Sequence, residues 1–283
     1  MILAESSLSS ELIERYPPDH PLHGKIFAYN AIIGENLVLE GNTTLGTKDN
    51  PILDLMLGDN VYIGDQCRVW SPSLKIGDYT KIHNHTLVYG RGGISLGHNC
   101  WIGQHSILDG EGGLVMEDNV GVGAHSQLWS HIRHGDVVMG CKYLEFGKLH
   151  LKNDCWFVGH CVVSPIVAEA FSMALVGSVV TRGMEYNHIY GGSPAKDLTD
   201  KLGEPFRPTT PLDRYEAMVG RLNKFEFENP QYAGKIEVVF EFNFNLNKIQ
   251  FNVTTRTYTK TGAECEVAFM KALLPEAKFT PRV

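Results

Sequence analysis

Aliphatic or similarly apolar residues recur every six positions along most of this chain, at Ile33/Leu39/Leu45, Leu57/Ile63/Val69, Ile76/Ile82/Val88, Leu96/Ile102/Leu108, Met116/Val122/Leu128, Leu151/Phe157/Val163 and Ala168/Ala174/Val180. Many are followed by small polar types, as in Leu57-Gly58-Asp59-Asn60, Ile63-Gly64-Asp65 and Ile76-Gly77-Asp78, and these types tolerate tight corners. A period of six cannot keep one helical face apolar. Three short strands joined by turns can, if they form a triangular rung whose repeated apolar residue points inward and stacks on the next rung. The pattern therefore predicts a parallel β solenoid of seven rungs with a continuous aliphatic core. Corner additions such as Gly92-Gly93 and Gly112-Gly113 fit without disturbing the stack.

One large interruption is expected, at residues 129–150. It holds Ser130-His131-Ile132-Arg133-His134. Long insertions in compact repeats are uncommon and often functional. The beat ends near Gly191-Gly192-Ser193-Pro194-Ala195-Lys196, and a proline-rich stretch from Pro205 to Pro211 introduces a different pattern. There, Thr210-Pro211 reads as a helix start, with Tyr215, Met218, Val219 and Leu222 following at helical spacing. Alternation from Ile236 to Leu246, then at Ile249, Phe251 and Val253 after Asn247-Lys248, predicts a hairpin. Ala263, Val267, Met270 and Leu274 predict one face of a last helix, stopped by Pro275. The expected organisation is a capping segment over 1–25, with a short helix near Ser10-Glu11-Leu12-Ile13, a solenoid over 26–200 and a small α+β module over 201–283.

Composition adds constraints. The 43% hydrophobic content and the lack of a long apolar run argue for an ordered protein without a membrane span, and a net charge of -7 argues against nucleic acid as the main partner. Met1 to Tyr16 lacks the layout of a secretory signal. The six cysteines, Cys67, Cys100, Cys141, Cys155, Cys161 and Cys265, form no CxxC pair, and most fall at repeat positions. They read as reduced core residues, which makes the cytoplasm the expected compartment.

Three segments carry a family resemblance: Ser130 to His134, Asn153-Asp154-Cys155-Trp156-Phe157-Val158-Gly159-His160, and Val176-Gly177-Ser178-Val179-Val180-Thr181-Arg182 running on to Gly191–Lys196. Together they resemble the hexapeptide-repeat acyltransferases, especially the sugar and xenobiotic O-acetyltransferases, over about residues 26–200. The resemblance implies a left-handed parallel β-helix and a homotrimer with active sites between subunits. It also implies acetyl-CoA as acyl donor, no metal, and a sugar-like acceptor such as a precursor in polysaccharide biosynthesis. Carried over by position, His131 is the catalytic base, with His134 as the alternative base or a substrate-orienting group. Trp156 walls the coenzyme tunnel, Gly159 and Val176 offer backbone contacts to its arm, and Thr181, Arg182 and Lys196 lie near its adenosine and phosphate end. An imidazole that titrates near neutral pH suits a proton taken from an attacking hydroxyl and returned to a thiolate. Its acidic partner is left open among Asp109, Glu111 and Asp136. Departures from the family pattern at Val158, Ala168-Glu169 and Ala174-Leu175 predict looser or bent sixth and seventh rungs.

Two other readings remain at this level. The γ-class carbonic anhydrases share the solenoid and a similar Gly-x-Pro-Ala-Lys ending, with His125, His131 and His134 as conceivable zinc ligands. A non-catalytic scaffold would use the solenoid for assembly and the aromatic tail for a partner.

Overall fold

The computed structural model describes residues 16–142, 144–243 and 248–282. The helix expected near Ser10–Ile13 lies outside the described residues, as do Phe244, Leu246 and Asn247. The chain divides into two units, Met1–Pro205 and Phe206–Val283.

The first unit is a parallel β-helix with three sheet faces. The first face stacks Ala28–Ile33, Ile52–Leu57, Ser73–Ile76, Ile94–Leu96, Leu114–Met116, Leu149–Leu151 and Val167–Ala168. The second runs from Val38–Leu39 through Tyr62–Ile63, Lys81–Ile82, Trp101–Ile102, Gly121–Val122, Trp156–Phe157 and Met173–Ala174, and it closes with the antiparallel pair Ile189–Gly192 and Ala195–Asp197. The third stacks Thr44–Leu45, Arg68–Trp70, Leu87–Tyr89, Ile107–Asp109, Gln127–Leu128, Val162–Val163 and Val179–Val180.

Register explains why the six-residue beat makes a core. On the second face, Leu39 pairs with Ile63, Ile63 with Ile82, Ile82 with Ile102, Ile102 with Val122, Val122 with Phe157 and Phe157 with Ala174. Every beat residue is buried except Ile33, which is half-buried at the first rung. Ala168 and Ala174 are fully buried and stay in parallel register, so the smaller residues do not break the last rungs. Two further buried columns follow the turns: Val61, Thr80, Cys100, Val120, Cys155 and Ser172, and Thr43, Cys67, Thr86, Ser106, Ser126, Cys161 and Ser178. Four of the six cysteines belong to these columns, where burial is the physical setting of a small side chain.

The corners need left-handed backbone, which Asn, Asp and His adopt more readily than other L-residues. Asn36, Asn60, Asn99, Asn119 and Asp154 serve one corner, and His85, His105, His125 and His160 serve the next. Those four imidazoles stack along the edge with ring centroids 4.7, 4.9 and 4.9 Å apart and ring planes within 14° of parallel.

The second unit holds the helix Pro211–Glu228, a four-stranded sheet and the helix Glu264–Leu273. Thr210 and Asp213 form a reciprocal capping box with Pro211 inside the first turn. Of the expected face Met218 and Leu222 are buried and Tyr215 and Val219 half-buried, and Phe225 extends it. The hairpin expectation is corrected. Ile236–Val239 pairs with Ile249–Asn252 in parallel, and the antiparallel partner of the latter is Thr257–Tyr258. The tight turn sits after Asn252, whose Oδ1 accepts from Thr254 N and Thr255 N, and Arg256 takes a left-handed conformation. Alternation marks a half-buried strand whichever way its neighbour runs, so it could not give the direction. The last helix buries Cys265, Glu266, Phe269, Met270 and Leu273; of the expected face Met270 and Leu274 are buried but Ala263 and Val267 only half-buried, so the buried face is turned toward Glu266. Burial of Glu266 accounts for this: its Oε2 accepts from Thr261 N, Thr261 Oγ1 and Gly262 N and anchors the preceding turn.

Candidate active site

The third face carries one outward column that immediately follows its core residues: Trp70 after Val69, Tyr89 after Val88, Asp109 after Leu108 and Trp129 after Leu128. After Trp129 the chain reaches the corner at Ser130 and leaves the solenoid. Residues His131–Arg133 pair antiparallel with Leu144–Phe146, so the excursion is a hairpin, and the next rung resumes at Leu149–Leu151. The interruption is therefore 131–146, shorter than the expected 129–150, because Leu149 already fills a buried position beneath the stack.

At the hairpin's root three donors converge on one oxygen, Asp109 Oδ2. Ser130 N lies at 2.8 Å, Ser130 Oγ at 2.7 Å and His131 Nδ1 at 2.9 Å. Ser130 Oγ also accepts from Gly112 N at 2.8 Å, and Gly147 N donates to Ser130 O at 3.1 Å. A Cβ on Gly112 would meet Ser130 O at 2.2 Å, so only glycine permits this approach. The Asp109 side chain is 8% exposed and that of His131 28%. A carboxylate can only accept, so Nδ1 carries the hydrogen and the ring lone pair lies on Nε2. The arrangement holds the imidazole in one orientation and one tautomer at the mouth of the hairpin.

Of the three acidic candidates, Asp109 is the one brought to His131. Glu111 accepts from Arg91 N at 2.8 Å, and Asp136 Oδ1 accepts from Val138 N and Met139 N inside the hairpin tip. His134 is exposed just beyond the strand, with no hydrogen bond or ion pair among the described residues.

The residues expected to hold the coenzyme lie at separate places on the solenoid. Gly159 and Val176 share the corner between the second and third faces, where Gly177 N donates to Gly159 O at 2.9 Å and Val176 is exposed. Thr181 and Arg182 are exposed at the opposite corner of the third face. The register Leu128–Val163–Val180 puts them two rungs from Trp129 and Ser130, about 10 Å. Trp156 points outward from the second face, its indole lying over Gly121, where an added Cβ would approach Cδ1 to 3.1 Å. Lys196 is exposed on the strand Ala195–Asp197 that ends that face. Nearby, His188 Nδ1 lies 2.6 Å from Asp197 Oδ2, which raises the His188 pKa above 6.5, and hydrogen bonding from Thr199 foremost lowers Asp197 to about 2.

The trio considered for zinc is separated. His125 belongs to the ring stack, His131 bonds Asp109, and His134 stands apart. Among the described residues no three His, Cys, Asp or Glu side chains gather to hold a metal ion.

No family model matches this sequence, and no curated protein does either. Likeness appears in solved structures. One is a mutant form of AntD, an N-acyltransferase from Bacillus cereus solved with dTDP and coenzyme A (19% identity, TM-score 0.46, 61% of this chain and 91% of that one). Another is a hexapeptide-repeat acetyltransferase from Vibrio cholerae (18% identity, TM-score 0.36, 54% and 74%). A third is a maltose O-acetyltransferase from Clostridium difficile 630 (15% identity, TM-score 0.33, 50% and 67%). The likeness is one of fold, the hexapeptide-repeat solenoid described above.

Proposed function

We propose that the chain is a CoA-dependent acyltransferase that moves an acetyl group from acetyl-CoA to a hydroxyl of a sugar or glycan precursor. The observation that carries this reading is the fixed pair of Asp109 and His131 at the root of the inserted hairpin. In the reaction, His131 Nε2 takes the proton of the acceptor hydroxyl as its oxygen bonds to the thioester carbonyl carbon. The tetrahedral adduct then collapses, the carbon–sulfur bond breaks, and the imidazolium returns the proton to the departing thiolate. Asp109 stabilises the imidazolium between the two steps and holds the ring in place. Positioned proton transfer contributes on the order of 10²–10⁴-fold, so alignment of donor and acceptor supplies much of the remainder.

The coenzyme's bed is assigned to Gly159 and Val176 along one corner, with Thr181, Arg182 and Lys196 toward the phosphates and Trp156 as a wall. Trp156 faces outward from a different sheet than Asp109. A coenzyme touching both fits the homotrimeric reading, in which Trp156 of one subunit serves a site whose His131 belongs to the next. Acyltransferases solved with coenzyme A or acetyl-coenzyme A are among the similar structures, in agreement with the donor, and the similar structures as a whole include an N-acyltransferase and an O-acetyltransferase. The test is release of coenzyme A from acetyl-CoA over a panel of sugars, amino sugars and their nucleotide-linked forms. Turnover with a hydroxyl acceptor supports the reading, turnover with amines alone overturns its O-acyl part, and no turnover with any acceptor overturns it.

A further inference from the structure

A groove of about 760 Å³ opens on the third face, directly along the column that leads to Asp109, and its walls include Asn42, Thr47, Asn50, Arg68, Trp70 and Tyr89. That volume falls within the range of small-molecule sites. The strand register is what ties it to the chemistry. Trp70 pairs with Tyr89 and Tyr89 with Asp109, so the aromatic wall begins one rung, about 5 Å, from the carboxylate that holds His131. The two rings stand 5.0 Å apart and are tilted by 33°. Trp70 is pinned by its Nε1 donating to Pro51 O at 3.4 Å, whereas Tyr89 is 43% exposed. Arg68 sits on the same strand as Trp70, exposed and with no ion pair among the described residues. Asn42 and Asn50 are exposed beside it.

These groups sort by chemistry. Two adjacent aromatic faces suit the flat, partly apolar face of a sugar ring. A guanidinium about two rungs from Asp109 suits a phosphate, which it can bind through two parallel N–H donors. Amides and hydroxyls around the rim suit sugar hydroxyls. We propose that this groove is the acceptor subsite and that it takes a phosphate-linked sugar, with the phosphate on Arg68, the ring against Trp70 and Tyr89, and a sugar hydroxyl presented to His131. The proposal deepens the acyltransferase reading and rests on it for the direction in which the sugar lies.

Binding is measured without acyl-CoA, by tryptophan fluorescence and calorimetry, with a hexose 1-phosphate, a nucleoside diphosphate hexose and the neutral free hexose as probes. Phosphate-bearing probes are expected to bind at least tenfold more tightly than the neutral sugar. Arg68→Gln should abolish that difference without weakening the neutral sugar, and Tyr89→Ala should weaken all three. Both side chains are exposed, so the variants should keep the native melting temperature, which is recorded alongside. Equal affinities in wild type and Arg68→Gln, or no binding of any probe, would overturn the proposal. Acetyl-CoA turnover is followed in parallel to separate the two readings. Binding in the expected pattern with no turnover removes acyl transfer and leaves the groove assigned. Turnover of an acceptor whose KM is unmoved by Arg68→Gln and Tyr89→Ala removes the groove and leaves acyl transfer.

Discussion

Asp109 Oδ2 accepts from the backbone and hydroxyl of Ser130 as well as from His131, so one carboxylate shapes the corner and aims the ring. Asp109→Asn should keep the fold while lowering kcat on the order of 10–10²-fold, the worth of one hydrogen bond to a charged group. Steady-state kinetics with the melting temperature as control checks this, and unchanged kcat contradicts it. The cysteines give a second residue-level expectation. Burial pushes the Cys100 thiol up to about 12 and the Cys155 thiol to about 11, and Cys141 is the one cysteine that is not buried. A thiol reagent should label one site quickly in the native protein, at Cys141, and the rest only after unfolding. At the solenoid's end, His188 gains its partner in the protonated form. Its contribution is complete below 6.5 and lost as pH rises through the raised value, while that of Asp197 is present above 3.8 and lost as pH falls toward 2. The two coexist fully between those limits. Proton NMR should show His188 titrating above 6.5, and Asp197→Asn should bring the midpoint back down.

The inserted hairpin is an element apart, since His131–Arg133 and Leu144–Phe146 pair with each other and with no strand of the three faces. Replacing 132–145 with a short glycine-containing turn should leave the solenoid's melting temperature close to native and remove transferase activity. A large loss of stability would show that the hairpin supports the rungs. The contrasting case is a rung interior: Ile102→Ala, at a fully buried position, should cost about 2–5 kcal/mol. These elements also show what the sequence made legible. A stack of rungs follows from a six-residue beat because each apolar residue has one inward direction and one neighbour above and below. The corner chemistry followed as well, with Asn and Asp at left-handed positions. The column Trp70, Tyr89, Asp109 and Trp129 was equally readable, as the residue after each core position of the third face. Aligned across rungs, that outward column sets Asp109 apart from Glu111 and Asp136 as its one acid, whereas spacing to His131 along the chain alone does not. The strand directions of the tail had no such signal, because they depend on long-range pairing rather than on local pattern.

On the scale of the whole molecule, the two faces that carry the proposed machinery look in different directions. Asp109 and its aromatic column face outward from one sheet, and Trp156 from another. The proposed homotrimer, in which Trp156 of one subunit serves the His131 of the next, predicts a species of three times the 31.5 kDa chain mass in sedimentation, and a monomer or dimer would contradict it. None of the described helices is long and apolar enough to cross a membrane, and the expected partners remain an acyl-CoA and a sugar. The central claim is that His131, oriented by Asp109, is the base for acyl transfer. Its most direct test is kcat for acetyl-CoA-dependent transfer in His131→Ala against wild type, with coenzyme binding measured in both. A fall on the order of 10²–10⁴-fold at unchanged coenzyme affinity is expected, and full activity in the variant would rule His131 out as the base.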